Sequence, residues 1–254
     1  MQAIILAAGM GTRLKELTKD VPKCMVKVNG KTLIERAAET LAENGISRIV
    51  IVSGYKADVL RDFISSRFPP SNALGVKIEF IDNPIFDSSN NIYSLYLAKD
   101  VLLSDETILL ESDLIFSPEL ISTLVKSEGG GEEASAVVSK YEAWMDGTCV
   151  TEDESDGRIT SFIDKKRFDA NRANSYCKTV NIYRFSSDFC RKYYIPFLET
   201  VQNTFGKNDY YEQVLGVLTH IKNKIMSAIL VPSSWWHEID NAEDLRTAEA
   251  KFPR

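Results

Sequence analysis

The chain has 254 residues and a net charge of -6, so it can bury a full core, and its acidity argues against non-specific binding to nucleic acid, which wants a basic face. Its four cysteines, Cys24, Cys149, Cys177 and Cys190, show no CxxC spacing, which argues against a zinc site or a disulfide framework and for free thiols in a reducing compartment. No stretch approaches the roughly twenty apolar residues that span a bilayer, and the apolar start is too short for a signal peptide and lacks its basic leader; the expected setting is the cytoplasm, without membrane insertion.

The first predicted element is a buried strand at residues 2–6, which runs into Ala7-Ala8-Gly9-Met10-Gly11-Thr12-Arg13, with Pro22-Lys23 shortly after. Small residues and glycines after a strand leave backbone amides that a polyphosphate can approach. Arg13 and Lys23 add fixed positive charge, a combination that suits a leaving pyrophosphate. A Walker loop is excluded because Gly11-Thr12-Arg13 lacks the Gly-Lys-Ser/Thr ending. A dinucleotide fingerprint is excluded because Leu14 stands where the third glycine belongs. The competing reading is a plain strand-to-helix turn.

A helix then begins with a capping box at Thr32 and Glu35, buries Leu33, Ile34, Ala37, Ala38 and Leu41, and stops at Asn44-Gly45. Strands are predicted at 48–52, 76–81 and 107–110, and helices at 59–66 and 92–97. Repeated units of this kind give a mostly parallel sheet covered on both faces, with ligands beyond the strands' carboxyl ends. The glycine loop, Gly54, Asn83 and Asp113 all follow strand ends, so they converge on one edge. Residues 129–133 read as a flexible link. Strands follow at 134–139, 149–151, 158–163 and 180–185, with a polar hairpin turn at 152–157. Helices are expected at 186–201 and 210–222, a strand at 226–231, and a closing helix at 241–251 capped by Asn241. There is no internal repeat and no domain-scale linker.

Asp113 sits just past a buried strand, where a carboxylate is expensive unless it is hydrogen-bonded or bound to a cation. Glu238 and Asp240 flank Ile239 at period two, which puts both carboxylates on one side. Three carboxylates together with phosphate oxygens make a hard, oxygen-only site that suits Mg²⁺. The alternative is that Glu238 is a solvated edge residue and Asp240 merely precedes a helix cap.

Residues 6–13 with Pro22-Lys23, Asp113, and Trp236-His237-Glu238-Ile239-Asp240 followed by Glu243-Asp244-Leu245 together resemble the sugar-nucleotidyltransferase superfamily over nearly the whole chain. Asn90-Asn91-Ile92-Tyr93-Ser94-Leu95 is similar to its phosphocholine cytidylyltransferase branch. YEAWMDG at 141–147, KTVNIY at 178–183 and Tyr210-Tyr211-Glu212 look closest to the cytidylyltransferases of 2-aminoethylphosphonate and related phosphonates.

The resemblance implies a Rossmann-like α/β nucleotidyltransferase fold with a mixed, mostly parallel sheet and a small acceptor-binding insertion. It implies one domain over 1–254, with a nucleotide-binding half at about 1–127 and an acceptor- and metal-binding half at about 134–240. The implied reaction is in-line transfer of CMP from CTP to a small phosphonate or phosphate, with release of pyrophosphate. Arg13 would hold the β- and γ-phosphates, Lys23 the α-phosphate and the incoming oxyanion, and Asp113, Glu238 and Asp240 the Mg²⁺. Leu6, Ala7, Ala8, Gly9, Gly11, Thr12, Gly54, Asn83, Ser88 and Asn90 would form the nucleotide site; Asn90 and Asn91 also read as a helix N-cap pair. No general base is required for an already ionised nucleophile, so His220 and His237 have no role.

A cationic acceptor wants an aromatic face and a carboxylate. Tyr141, Trp144, Asp146, Tyr211, Glu212 and Trp235 offer these, and Lys178 could meet the phosphonate. Asp164-Lys165-Lys166 stands near the Glu-Lys-Pro of sugar-specific relatives and lacks the proline, which points away from a sugar phosphate. A sugar-1-phosphate transferase using UTP or dTTP, and a non-catalytic nucleotide-sensing module, are the rival readings. Relatives of the phosphonate branch are often fused to a second enzyme, so the chain is also expected to be one part of a longer protein.

Overall fold

The computed structural model describes residues 1–127, 133–222 and 225–252. Strand β1 (Gln2–Ala7) is buried along its whole length. Its residues alternate between two cores: Ile4 and Leu6 face one, Ala3, Ile5 and Ala7 the other, as period two requires. After the loop come two short strands, β2 (Lys27–Val28) and β3 (Lys31–Thr32), which form a small hairpin. Helix α1 (Leu33–Glu43) starts where Thr32 Oγ1 accepts from Glu35 N at 3.2 Å. The Glu35 carboxylate does not return to the cap; it accepts from Arg67 Nε at 2.8 Å. Gly45, with φ 85°, ends the helix.

Strand β4 (Arg48–Ser53), helix α2 (Ala57–Arg67) and strand β5 (Lys77–Asp82) continue the alternation. Helices α3 (Asn91–Leu97) and α4 (Lys99–Ser104) lead to β6 (Thr107–Glu111). The sequence reading did not include α4, nor the next two elements, β7 (Leu114–Phe116) and α5 (Pro118–Lys126). The second of these carried a signal in Ser117-Pro118, a cap residue before proline in the first turn.

The later strands are β8 (Ala134–Lys140), β9 (Cys149–Asp153), β10 (Arg158–Ile163) and β11 (Cys177–Phe185). The region read as helical from 186 is a continuous helical run that extends to 205: α6 (Ser187–Phe189) passes through a π-type turn at Cys190–Tyr194 into α7 (Ile195–Phe205). Pro196 has no N–H and its ring crowds the carbonyl one turn back, which the wider turn accommodates. Helix α8 (Tyr211–Ile221), strand β12 (Met226–Leu230), strand β13 (Trp236–Glu238) and helix α9 (Ala242–Lys251) complete the described chain. The link expected at 129–133 falls, apart from Glu133, outside the described residues.

Nine strands form one mixed sheet in the order β5-β4-β1-β6-β11-β8-β12-β10-β9. Seven of the nine share a direction, since only β10 and β11 are opposed to their neighbours. Beside the sheet, β7 and β13 pair antiparallel, with Leu114 opposite Glu238. A third, smaller core gathers Leu14, Val26, Val28, Leu33, Ile115, Ile239 and Ala248 under α9. All four cysteines are free and buried. No described helix is long and apolar enough to cross a membrane.

Candidate active site

The parallel run β5-β4-β1-β6 brings four strand ends to one edge, where those of β1, β5 and β6 border a cavity of about 310 Å³. Gly11 has φ 64°, and a Cβ there would lie 2.9 Å from Lys23 Cβ. Glycine is therefore demanded twice, by the left-handed backbone and by the close approach of Lys23. Gly54 answers a different need: a Cβ there would meet Phe86 Cβ at 2.6 Å, so its absence lets the 83–89 turn close over the loop. Asn83 is buried and shapes that turn, donating to Ser89 and Ser94 at 3.0 and 3.1 Å and accepting from Ile85 N at 3.0 Å.

Of the residues expected to form a nucleotide site, Leu6, Ala8, Gly9, Gly11, Thr12, Asn83 and Asn90 line this cavity, together with Arg13, Lys23, Asp113 and Asp240. Ala7 points into the core instead, Gly54 supports the wall from behind, and Ser88 turns to Asp87 and Ile85. Its neighbour Ser89 takes the lining position. Sequence reasoning missed Phe86, Asn91, Glu111 and Tyr210 as lining residues. Glu111 adjoins a residue that was singled out; Asn91 and Tyr210 stood in quoted motifs, but for a helix cap and for acceptor likeness and not as walls of this cavity. Asn90 does cap α3, and Asn91 spans two elements, donating to Glu111 at 3.1 Å and accepting from Tyr211 N at 3.1 Å.

At one end of the cavity, Asp113, Glu238 and Asp240 each offer a carboxylate oxygen within 4.8 Å of the others. The β7–β13 ladder fixes this, helped by Ile239 N donating to Asp113 O at 2.9 Å. Lys23 Nζ lies 2.6 Å from both Asp113 Oδ2 and Asp240 Oδ1, and Arg13 Nη2 lies 2.7 Å from Asp240 Oδ1. Burial alone would lower the Lys23 ammonium, but Asp113 and Asp240 outweigh it and hold the group well above its ordinary value. Glu111 and Glu238 are both raised, first by burial and then, among other charges, by Asp113. Such a surplus of buried carboxylate wants a cation. Asp113 Oδ1 is buried with no partner among the described residues, and the donor set is all oxygen, so the cluster fits a hard divalent ion.

A second cavity of about 140 Å³ opens on the far side of the cluster and shares Arg13 and Asp240 with the first. Trp144, Asp146 and Lys178 line it, with Asp244. Trp144 is 44% exposed, stands 4.9 Å from the His237 ring and is held by Glu142, which accepts from its Nε1 at 2.8 Å. Asp146 pairs with Lys165 at 3.1 Å. Lys178 is buried and donates to Thr179 O at 2.5 Å.

The other expected acceptor residues lie elsewhere. Tyr141 packs on Phe168 at 4.9 Å, and Trp235 packs on a main core. Tyr211 is fully buried, edge-on to Tyr183 at 5.8 Å. Glu212 is engaged by Thr148 at 2.5 Å, Thr179 at 3.1 Å and Tyr183, and borders a separate cavity with Tyr210, Arg167 and His220. Three donors on one carboxylate leave little for a ligand's amine.

Comparison with known proteins places the chain in a family and a fold. The family profile described as nucleotidyl transferase matches residues 2–251. The chain is 29% identical to CMP-5'-(3-aminopropyl)phosphonate synthase of Streptomyces rubellomurinus, over 99% of this chain and 39% of that protein. A 2-aminoethylphosphonate cytidylyltransferase of Lancefieldella rimae is 38% identical over 47% of this chain and 45% of its own length. The chain thus spans less than half of each of these curated relatives. The solved CTP:phosphocholine cytidylyltransferase of Streptococcus pneumoniae shares the fold, with a TM-score of 0.72 at 24% identity over 98% of this chain and 97% of that one.

Proposed function

Since this chain belongs to the nucleotidyl transferase family, we propose that it is a cytidylyltransferase that moves CMP from CTP to a small phosphonate, 2-aminoethylphosphonate first among them. The observation that carries the reading is the position of Arg13, Lys23 and the three carboxylates at the junction of two cavities. A phosphonate oxygen forms a bond to the α-phosphorus as the bond from that phosphorus to the β-phosphate oxygen breaks, and pyrophosphate leaves. Both reactants are anions, so the protein's work is alignment and charge neutralisation.

The backbone of residues 8–12 cradles the phosphates, Arg13 holds the β- and γ-groups, and Lys23 bridges the α-phosphate and the entering oxygen. Lys178 orients the phosphonate from the other side. Asp113, Glu238 and Asp240 would hold Mg²⁺, which when bound offsets the negative charge growing at the α-phosphate. Trp144 and Asp146 receive the acceptor's ammonium; the indole face also suits the trimethylammonium of phosphocholine, the second acceptor class. The buried free thiols accord with a cytoplasmic enzyme, and the greater length of the Streptomyces rubellomurinus relative accords with a second domain in the native protein.

Pyrophosphate release in Mg²⁺ and CTP, with 2-aminoethylphosphonate, phosphocholine and a sugar 1-phosphate compared, tests the reading. A clear preference for either of the first two supports it. Release only with the sugar phosphate, or only with UTP or dTTP, would replace it with a sugar-nucleotide reaction. Tight CTP binding with no turnover would favour a sensing module.

A further inference from the structure

We propose that Asp244 is a positioning residue for Asp240, because the capping box that starts α9 closes on the carboxylate cluster's own backbone. Asp244 Oδ2 accepts from Asn241 N at 3.0 Å, as a capping box requires, and also from Asp240 N at 2.9 Å. In return, Asn241 Oδ1 accepts from Glu243 N at 2.8 Å and Asp244 N at 3.1 Å. The helix start is already served by Asn241; the bond to Asp240 N adds nothing to the helix and instead fixes the residue that meets Lys23 and Arg13.

The same loop is held from its other side. Ile239 N donates to Asp113 O, and the Ile239 side chain is fully buried in the core to which Ala248 belongs and against which Leu245 of α9 packs. The Asp240 main chain therefore runs between two anchors, one at Asp113 in the turn between β6 and β7 and one on α9. A partner that orients a metal-binding carboxylate typically matters about tenfold or more to metal affinity. This role rests on the proposal that the cluster holds a divalent cation.

The test is Mn²⁺ titration of the full chain, read from the electron paramagnetic resonance of the free ion, beside thermal denaturation. Asp244→Ala is expected to raise the Mn²⁺ Kd by about tenfold, whereas Asn241→Ala, which also weakens the helix start but keeps the Asp244 to Asp240 bond, changes Kd much less for a similar loss of Tm. Asp244→Asn, which retains an acceptor oxygen, restores most of the affinity. Equal Kd in Asp244→Ala and Asn241→Ala would overturn the positioning role, as would Asp244→Asn behaving like the alanine variant. Wild-type protein that binds no Mn²⁺ would instead overturn the metal reading beneath it.

Discussion

The larger cavity takes most of its wall from loops that follow parallel strands, so its residues sit in short runs such as 8–13 and 111–113. The smaller one is walled by side chains from 144–146, 178 and 236–244, which only antiparallel pairing and the β7–β13 ladder bring together. Their polar groups differ as well. The first cavity presents loop backbone and two cations tied to carboxylates, Arg13 to Asp240 and Lys23 to Asp113 and Asp240, while the second presents side chains held from distant elements, Asp146 by Lys165 and Lys178 by Thr179. On the proposed function, the nucleotide site is built from local backbone and the acceptor site from tertiary contacts.

The largest effect should come from the junction between the two. Lys23→Ala or Asp113→Ala is expected to lower pyrophosphate release by about a hundredfold to a thousandfold, with circular dichroism unchanged. Near-wild-type rates in both would dissolve the shared reaction centre. Next, Trp144→Ala should raise the KM of the acceptor by about tenfold and leave that of CTP alone. An equal rise in both would erase the division between the cavities.

A third effect separates the cluster from its surroundings. Glu111 and Glu238 are raised in the folded chain, so the folded state keeps protons that the unfolded chain sheds above about pH 4. The stability this contributes is complete below that range and is lost as pH rises through neutrality. In EDTA, Tm should fall from pH 6 to pH 8, and added Mg²⁺ should restore more of it at pH 8. A Tm that rises over that interval would contradict the buried surplus of carboxylate. The smallest effect belongs to Tyr211→Phe. Its hydroxyl is buried without a partner among the described residues, so the change should stay within about 1 kcal/mol and leave both KM values intact. A raised acceptor KM would return Tyr211 to the acceptor wall.

These expectations follow where local chemistry did and did not speak in the sequence. Periodicity located the strands at 48–52 and 107–110 because burial on both faces leaves an unbroken apolar run. The 238/240 spacing was readable as period two, although β13 ends at Glu238 and the loop before α9 carries Asp240. Tyr211 and Glu212 were singled out because an aromatic beside an acid suits a cationic ligand; in the fold Tyr211 packs on Tyr183, and Glu212 accepts from Thr179 while bordering a separate cavity. The place of Tyr210 in the larger cavity was not readable because it depends on the 207–211 segment docking against α3, where Lys207 O accepts from Asn90 N at 2.9 Å.

The four cysteines turn this molecule into its own reporter. Each is buried, and burial pushes the thiols of Cys149 and Cys177 to about 11 and raises Cys24 and Cys190 further still, so the native fold resists alkylating reagents, which only an exposed thiolate attacks. Cys24 lies beside Lys23, whereas Cys149 and Cys177 belong to β9 and β11. The order in which these sites take up label under mild denaturant therefore records which end of the sheet opens first, without any introduced probe.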